Sequence, residues 1–380
     1  MLRVFLTSSH FSTLLMTIYA KATSSPEHTD VLLIDAAGRT PAVIKHLEQA
    51  AQLYPWQKVC NFSIPLSETH NHKPGQVKKI TRQLRSKPVF RTVYGWLLKR
   101  HQQKTIRTQQ IMLREKLGEY TGEAQLFVVR ETVLFDALID LYKNANVNRF
   151  EHGLSDYTLL VDGPQREGIY YCIFAERFRN YLSKRNKPSG FVNALQEADS
   201  FSATCHTYFD LFPDKETESL CQPGIRYALL VMQPVEIMHV NDKDFWTDFL
   251  AKCIAVTGKT ENIRYIVKPH PYQSKDAVKA IRDFFTEHKI DFIIPPTSFT
   301  STSIEISFSQ WEKQVDFIFS PYSSAIFYLS KLYPSAQRVC YYDFDSMKKY
   351  LANSPEHFRQ LYLQAEPLIQ EVFSENCIVL

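Results

Sequence analysis

The sequence contains no long apolar run: none of its 380 residues lies in an apolar stretch long enough to cross a bilayer. A spanning helix needs about 20 consecutive apolar residues, so the sequence predicts no transmembrane segment. The apolar residues at the start, 1–7, are also too few for the apolar core of a secretory signal peptide. We therefore expect a buried first strand there and a cytoplasmic protein.

Spacings typical of metal sites and disulfide frameworks are missing as well. The seven cysteines are scattered, odd in number and without CxxC or CxxH spacing. This distribution favours reduced thiols in a cytoplasmic protein over a zinc site or a disulfide framework. The formal net charge is only +4, which does not by itself require a polyanionic partner.

The composition is that of a globular protein, with 44% hydrophobic and 22% charged residues. A chain of 380 residues is long enough for two domains. Apolar runs of strand length alternate with segments of helical periodicity, which predicts an α/β fold with parallel, doubly wound sheets. The predicted strands span 4–7, 31–34, 58–64, 124–129, 159–161, 227–232, 263–267, 291–294, 315–319 and 338–342.

The domain organisation follows from this alternation. A turn-rich region at 176–225 separates the halves, so that 1–222 would form one Rossmann-like domain and 223–345 a second. Residues 346–380 would add closing helices that pack back on the domains, and strand 338–342 would end the second sheet. A turn at 162–164 is assigned to a hairpin or loop. The predicted helices span 13–21, 41–53, 132–143, 174–182, 242–256, 274–288, 304–311, 324–332 and 345–374.

A strongly basic stretch, residues 78–116, carries 12 Lys or Arg and one acidic residue, Glu115. Phe90, Tyr94 and Trp96 lie among these charges. The pattern is compatible with a solvated helical face, with docking on an anionic membrane leaflet, or with nucleic-acid binding. The last is the least favoured of the three.

A rigid corner follows the strand predicted at 263–267, in the sequence Lys268-Pro269-His270-Pro271. Two prolines stop both a strand and a helix, because each fixes φ and removes an N–H donor. His270 is therefore expected at the carboxyl end of a strand, ahead of a helix. Open α/β sheets bind their ligands at that edge, although a lone His in a turn is also an ordinary surface feature.

Two further motifs lie at predicted strand ends. Glu151-His152-Gly153 combines a carboxylate that could act as a base with a glycine that permits close backbone approach; alone, it is also compatible with an ordinary turn. Ser323 and Ser324 open a helix directly after a strand, where hydroxyls, free N–H groups and the helix dipole favour an anion. We expect this anion site on the same sheet edge as His270, on a neighbouring strand.

These three motifs, in this order, resemble those of bacterial sialyltransferases of glycosyltransferase family 52 and the related polysialyltransferases. The resemblance covers about residues 147–345. It implies the GT-B arrangement, in which two Rossmann-like domains face a cleft, CMP-sialic acid binds the C-terminal domain and the acceptor binds mainly the N-terminal side. The sequence departs from the family pattern at His152, where a second carboxylate is usual.

The resemblance also implies roles for individual residues. His270 would be the acid or hydrogen-bond donor to the CMP phosphate, and the base would be Glu151 or Asp242, between which the sequence does not decide. The acceptor side would include His152 and Gly153. The donor-binding residues would be Lys268, Pro271, Glu305, Ser323 and Ser324.

The expected activity is inverting transfer of sialic acid to a cell-surface glycan such as lipooligosaccharide or capsule. Two DxD sequences, at 242–244 and 343–345, are common chance patterns, and a CMP donor has one phosphate, so we expect no metal. The enzyme would be peripheral on the inner membrane, and a homodimer is compatible with the family. Two alternatives stay open: another donor, such as CMP-Kdo or a nucleotide diphosphate sugar, or a non-catalytic nucleotide- or polyanion-binding protein.

Overall fold

The structure is a computed structural model. It describes residues 1–62, 88–162, 168–233, 242–258, 262–270, 273–295, 302–321, 323–334, 338–351 and 354–380. Side chains within the helical segment 88–102 and at 155, 162, 242, 243, 357, 358 and 361 are not among those described. The predicted turn at 163–164 and residues 78–87 of the basic stretch lie outside the described residues.

The strands confirm most of the sequence-based prediction and are numbered in chain order. They are β1 Leu2–Thr7, β2 Thr29–Asp35, β3 Lys58–Phe62, β4 Ala124–Val128, β5 Asn146–Phe150, β6 Ile169–Cys172, β7 Val192–Ala194, β8 Arg226–Val231, β9 Ile263–Lys268, β10 Phe292–Ile293, β11 Val315–Ser320, β12 Val339–Tyr342 and β13 Cys377–Val379.

The α-helices are numbered in the same way, and short 3-10 or π turns extend some of them. They are α1 His10–Ala22, α2 Pro41–Ala51, α3 Pro88–Leu117, α4 Val133–Leu141, α5 Leu154–Asp162, α6 Ala175–Ser183, α7 Phe201–Leu211, α8 Lys215–Glu218, α9 Asp242–Thr257, α10 Lys275–Glu287, α11 Ile304–Ser307, α12 Ser324–Leu332, α13 Phe344–Leu351 and α14 Glu356–Leu368.

The described strands form two sheets, in the orders β3-β2-β1-β4-β5-β6-β7 and β10-β9-β8-β11-β12-β13. The pairings from β1 to β5 and from β8 to β13 are all parallel. Each order begins 3-2-1-4-5-6 in its own numbering, which is the Rossmann order. The predicted fold class, α/β with two Rossmann-like sheets, is therefore confirmed.

The chain divides into two compact units. The first comprises Met1–Phe150 and Glu167–Tyr170, and the second Glu151–Arg166 and Tyr171–Leu380. This division differs from the predicted boundary at 222, although the second sheet does begin beyond it, at Arg226. Aromatic packing within the second unit explains the difference, because the Tyr157 ring lies 4.7 Å from the rings of both Phe178 and Phe373.

Each unit has a core of the kind expected for a parallel sheet covered on both faces. In the first unit all six residues of β1 are buried, and Leu2, Val4 and Leu6 pack in one apolar cluster with residues such as Leu126 and Leu138. In the second unit β8 is buried from Tyr227 onward, and α9 contributes Trp246, which is fully buried. Among the described residues, no helix is both long and apolar enough to cross a membrane.

Two predictions about local structure are wrong. Residues 159–161 form the end of helix α5 rather than a strand, because a helix starts directly after Gly153 and its first-turn Asp156 accepts a hydrogen bond from the His152 backbone. Strand 338–342 does not end the second sheet, because β13 pairs with β12 beyond it.

Candidate functional site

The candidate residues of the second unit follow the carboxyl ends of its parallel strands. β9 ends at Lys268, two residues before His270, and β11 ends at Ser320, three residues before Ser323. The prediction that these motifs end neighbouring strands is wrong, because β8 lies between β9 and β11. Strand order reverses at β8, which makes this edge the topological switch point where open α/β sheets bind ligands.

The Ser323–Ser324 segment is a well-formed helix start. Ser323 is the N-cap of α12, and its hydroxyl accepts a hydrogen bond of 3.3 Å from the Ala325 backbone N–H. The Ser323 N–H donates to the Ser320 hydroxyl at 3.1 Å, which ties the turn to the end of β11. The exposed N–H groups and the dipole of such a terminus stabilise an anion.

Gly153 lies directly against Ser324. A Cβ atom added at Gly153 would be 3.4 Å from the Ser324 hydroxyl oxygen, so the turn after β5 and the turn after β11 come into contact. Gly153 immediately precedes α5 and Ser324 opens α12. The structure thus brings together two of the predicted motifs, which are 171 residues apart in the chain. Both belong to the second unit.

Glu151 is fully buried next to this contact. Its carboxylate accepts a hydrogen bond from the Tyr157 hydroxyl, one helical turn into α5, and neither side chain is exposed. Burial raises the pKa of the Glu151 carboxyl to about 8, against the opposing effect of hydrogen bonds from Tyr157 and the Ile173 backbone. At neutral pH Glu151 is therefore mostly protonated, and as a carboxylate it is an unusually strong base.

Tyr328 lies on the same helix as the donor-binding candidate Ser324 and senses the charge of Glu151. It lies one turn after Ser324 on α12 and is buried. Burial raises the pKa of its hydroxyl well above the ordinary value, and the nearby carboxyls of Glu151, Asp156 and Glu305 raise it further. The buried face of α12 is thus close to carboxyl groups from two separate turns of the chain.

Lys268 and His270 form a pair at the end of β9. Burial lowers the pKa of the Lys268 ammonium to about 8, while Glu305 acts in the opposite direction. Burial also lowers the pKa of the His270 imidazole to about 4, and the neighbouring Lys268 charge lowers it further. At neutral pH the pair is therefore one cation beside one neutral imidazole, which can donate a hydrogen bond.

Glu305 lies in the first turn of α11. The Ser303 hydroxyl donates to its carboxylate, and the Tyr333 hydroxyl donates to its backbone carbonyl at 2.7 Å. Burial raises the pKa of the Glu305 carboxyl, while Ser303 and Lys268 oppose the rise. Glu305 is therefore held in place and paired electrostatically with Lys268.

The remaining predicted site residues are only partly defined. His152 adjoins the site through its backbone, which donates to Asp156 at 2.6 Å. Asp242 is the first residue of α9, but its side chain is not among those described, and Pro271 lies outside the described residues.

Sequence reasoning missed three residues that build the site. Tyr157 binds the Glu151 carboxylate, Tyr328 is buried where the nearby carboxyl groups raise its pKa, and Ser320 positions Ser323. The sequence offered one signal for Tyr157: Asp156 lies three residues after Gly153, which is the spacing of a capping box and predicts a helix start at this point.

The DxD sequence at 343–345 has a structural role. Asp343 is fully buried, accepts from the Ser346 backbone N–H at 2.9 Å, and pairs with Lys252 at 2.8 Å. It thus caps α13. Within the described part of the chain, no group of three or more His, Cys, Asp or Glu side chains is arranged to hold a metal.

Two clefts of about 500 and 520 Å³ lie elsewhere in the second unit, beside Glu312 and Lys313. Both are at the amino end of β11, whereas the candidate residues follow the carboxyl end. Glu312 is already engaged there, with His206 at 3.3 Å and the Ser202 hydroxyl at 3.4 Å. These clefts therefore carry no part of the candidate site.

A family comparison covers most of the chain. The family model described as alpha-2,8-polysialyltransferase (POLYST) matches residues 83–342, which is 260 of the 380 residues. No curated protein matches the sequence.

Solved structures are similar over nearly the whole chain. UDP-GlcNAc 2-epimerase from Neisseria meningitidis, bound to UDP-GlcNAc, superposes with a TM-score of 0.54 at 14% sequence identity. The matched region covers 98% of this chain and 92% of the epimerase chain. The Methanocaldococcus jannaschii enzyme has a TM-score of 0.53 at 11% identity, covering 100% and 89%. The GT-B domain of a Photobacterium damselae sialyltransferase has a TM-score of 0.47 at 10% identity, covering 100% and 99%. At such identities, the likeness to the two epimerases concerns the fold alone.

Proposed function

Because this chain belongs to the alpha-2,8-polysialyltransferase family and is a glycosyltransferase of the sialyltransferase type, we propose that it transfers sialic acid from CMP-sialic acid to a hydroxyl of a cell-surface glycan. Its substrates in general are a nucleotide sugar and a glycan acceptor. Lipooligosaccharide and capsule are the acceptor classes that such a reaction would build. The transfer would invert the anomeric centre.

The observation that carries the proposal is the contact between Gly153 and Ser324 at the starts of α5 and α12. A small, hydroxyl-lined helix start at a switch point suits a single phosphate, because backbone N–H groups and the helix dipole bind anions without a metal. The single phosphate of a CMP donor suits the charge preference of this helix start. Ser323 and Ser324 would bind it.

Lys268 and His270 supply the complementary charge and hydrogen bond. A Lys268 with a pKa of about 8 is mostly protonated at neutral pH, so it would attract the donor phosphate. His270 is neutral in the free enzyme, since the pKa of its imidazole is about 4. It would donate an N–H to the phosphate, and the approaching negative charge would raise its pKa, so that a larger fraction of His270 is protonated and can give a proton to the phosphate as CMP leaves.

The transfer itself is a displacement at the anomeric carbon of sialic acid. The acceptor hydroxyl oxygen bonds to that carbon while its proton passes to a carboxylate. The bond between the carbon and the phosphate oxygen breaks on the opposite face, and CMP leaves with the electron pair. Two groups in acid and base roles of this kind each contribute typically 10²–10⁴-fold.

The base remains one of two carboxylates. Glu151 has a raised pKa and a fixed position, but its side chain has no exposed surface in this structure. For Glu151 to act as the base, an acceptor hydroxyl would have to come within hydrogen-bond distance of its carboxylate. A rearrangement of the Gly153 turn would open that approach. Asp242 opens α9 after the β8 strand end, at the same sheet edge. Glu305 would hold the nucleotide ribose or base, and Gly153 and His152 would border the acceptor.

A transfer assay tests the function. Purified protein, CMP-sialic acid and a sialylated oligosaccharide acceptor should give CMP and an elongated glycan, whose linkage anomer is read by NMR. Ser324→Ala and His270→Ala should lower the rate by at least about tenfold. Thr132→Ala removes a helix-start hydroxyl outside the candidate site, the N-cap of α4, and His206→Ala removes a histidine that pairs with Glu312 near the amino end of β11. Both controls should keep the wild-type rate. Absence of transfer with CMP-sialic acid, but transfer from another nucleotide sugar, would contradict the proposal.

Membrane association is a separate part of the proposal, supported by α3. Lys104, Arg107, Ile111 and Arg114 are all exposed and share one helical face by their spacing, whereas Leu113 is fully buried. A basic face with an exposed apolar residue suits an anionic leaflet, at about 1 kcal/mol per basic residue. Co-sedimentation with vesicles containing phosphatidylglycerol should exceed that with neutral vesicles, and the charge-reversed variant Lys104→Glu/Arg107→Glu should lose the difference. Equal binding to both vesicle types would exclude the idea.

A further inference from the structure

Two cysteines face each other at the end of the second sheet. β13 pairs with β12 in parallel, with Cys377 directly opposite Cys340 in register. Both thiols are free, and Cys340 is buried while Cys377 is half-buried. Register partners on adjacent strands have side chains on the same face and backbones about 4.8 Å apart, which is within the Cα separation of 4.4–6.8 Å found for disulfides.

The two thiols perturb each other in the reduced state. Their interaction raises the pKa of the Cys340 thiol and lowers that of the Cys377 thiol. Burial raises the pKa of the thiol in each of the other five cysteines, which are Cys60, Cys172, Cys205, Cys221 and Cys253. The other six cysteines are buried and Cys377 is half-buried, so Cys377 is the most accessible sulfur of the seven.

We infer that Cys340 and Cys377 form an oxidisable dithiol pair, a site at which a small-molecule disulfide such as oxidised glutathione closes a bond between β12 and β13. The inference is independent of the donor and acceptor proposed above. It rests on the strand register that places the two cysteines opposite each other and on the exposure of Cys377.

The exchange proceeds in two balanced steps. The Cys377 thiolate attacks one sulfur of oxidised glutathione, forms a mixed disulfide and releases one glutathione thiolate. Cys340 then attacks the Cys377 sulfur, and the second glutathione leaves as a thiol with the proton that Cys340 gives up. The protein loses two electrons and two protons, and one molecule of oxidised glutathione becomes two of the thiol.

The bond would anchor a segment that supports the candidate site. Phe373, four residues before Cys377, packs at 4.7 Å against the Tyr157 ring and at 4.9 Å against Phe174. Tyr157 in turn holds the Glu151 carboxylate. Fixing β13 therefore fixes the aromatic contact behind Glu151. β13 has only three residues and pairs on one side only among the described strands, so few backbone hydrogen bonds oppose the adjustment that a disulfide requires.

The test uses the folded full chain in buffers of graded oxidised and reduced glutathione, followed by thiol counting and mass spectrometry of non-reduced peptides. Wild type should lose two of its seven thiols, retain no glutathione and yield a peptide joining Cys340 to Cys377. Cys340→Ser should stop at one glutathione on Cys377. Cys377→Ser should keep all of its thiols, and the control Cys253→Ser should still lose two.

Three results would overturn the inference. One is a wild type that retains all seven thiols while folded. Another is glutathione attached to Cys377 with no internal disulfide, and the third is reaction at a different cysteine. Because serine could unfold the buried position 340, Cys340→Ala serves as a second variant with the same expected outcome. Limited proteolysis of wild type adds a readout of anchoring: cleavage within 369–380 should be several-fold slower in the oxidised form, and equal rates would contradict it.

Discussion

Replacing Glu151 with Gln should make the protein's stability less dependent on pH, and the structure gives the size of the effect. The carboxyl has a folded-state pKa of about 8 against an ordinary value of 4.5, mainly because it is buried. Below the lower value it is neutral in both the folded and unfolded states. As the pH rises towards the upper value, the unfolded chain gains from ionisation while the folded carboxyl stays protonated.

The sign therefore follows from proton linkage: Glu151 contributes stability that is present at low pH and is lost as the pH rises through this window. One pKa unit corresponds to about 1.36 kcal/mol. Between about pH 5.5 and 7.5 the loss from this single carboxyl is about 2.5 kcal/mol, allowing for the part of the window at each end where titration is incomplete. Glutamine does not titrate, so Glu151→Gln should gain that amount relative to wild type over the same range.

The assay is urea unfolding of both proteins at several pH values, followed by near-ultraviolet circular dichroism of the aromatic residues around Tyr157. The measured quantity is the free energy of unfolding of Glu151→Gln minus that of wild type, followed as a function of pH. A pH-independent cost of replacing the carboxyl with an amide shifts this difference by a constant and does not affect its slope. Glu287→Gln, on the exposed face of α10, is the matched control for losing one glutamate. A difference that stays flat, or one that falls as pH rises, would refute a protonated Glu151.

Further predictions concern the ligand and the chemistry. His270→Ala should reduce turnover by about 10²–10⁴-fold with little change in unfolding, since the half-buried imidazole lies at a strand end; a near-wild-type rate would show that it does not act on the donor phosphate. Gly153→Ala should fold normally, because its Cβ would be 3.4 Å from the Ser324 hydroxyl oxygen, an ordinary contact. The variant should nevertheless bind CMP roughly tenfold more weakly, a loss of about 1.4 kcal/mol. The control is Gly190→Ala, whose Cβ would have no atom within 4 Å; Gly118 is unsuitable because its φ of +80° would strain an alanine. Full activity is expected in excess chelator, and activity that is abolished and then restored by Mn²⁺ or Mg²⁺ would contradict the metal-free proposal.

Local patterns were sufficient to predict most strands and the edge where the candidate residues lie. Pro269 and the apolar run before it mark the end of β9, and the Ser323–Ser324 start of α12 follows from its capping residues. These features depend on neighbours in the chain, so the sequence alone reveals them. The parallel direction of the strands follows from the alternation of strands and helices along the chain.

Contacts between distant segments could not be predicted in this way. No local pattern shows that Gly153 meets Ser324, or that Tyr157 rather than solvent binds Glu151. The run Leu159-Leu160-Val161 has the composition of a strand, yet it is helical because a glycine and Asp156 start a helix just before it. Strand β13 was missed since three residues give too little periodicity to distinguish a strand from a chain end.

The predicted domain boundary shows the same limit. Composition marks the turn-rich region before the second sheet, and that sheet does begin at Arg226. The packing of Phe178 against Tyr157, which groups the intervening helices with the second unit, depends on three-dimensional proximity alone. The functional roles of the two halves remain predictions.

We propose that the helix start at Ser323–Ser324 binds the phosphate of a cytidine monophosphate donor. Titration calorimetry can test this binding in wild type with CMP and with UDP, in Ser324→Ala, and in the control Thr132→Ala, which lacks a helix-start hydroxyl outside the candidate site. CMP should bind wild type more tightly than UDP does, Ser324→Ala should weaken CMP binding at least about tenfold, and Thr132→Ala should bind CMP as wild type does. Tighter binding of UDP, or CMP binding that is indifferent to Ser324→Ala, would contradict it.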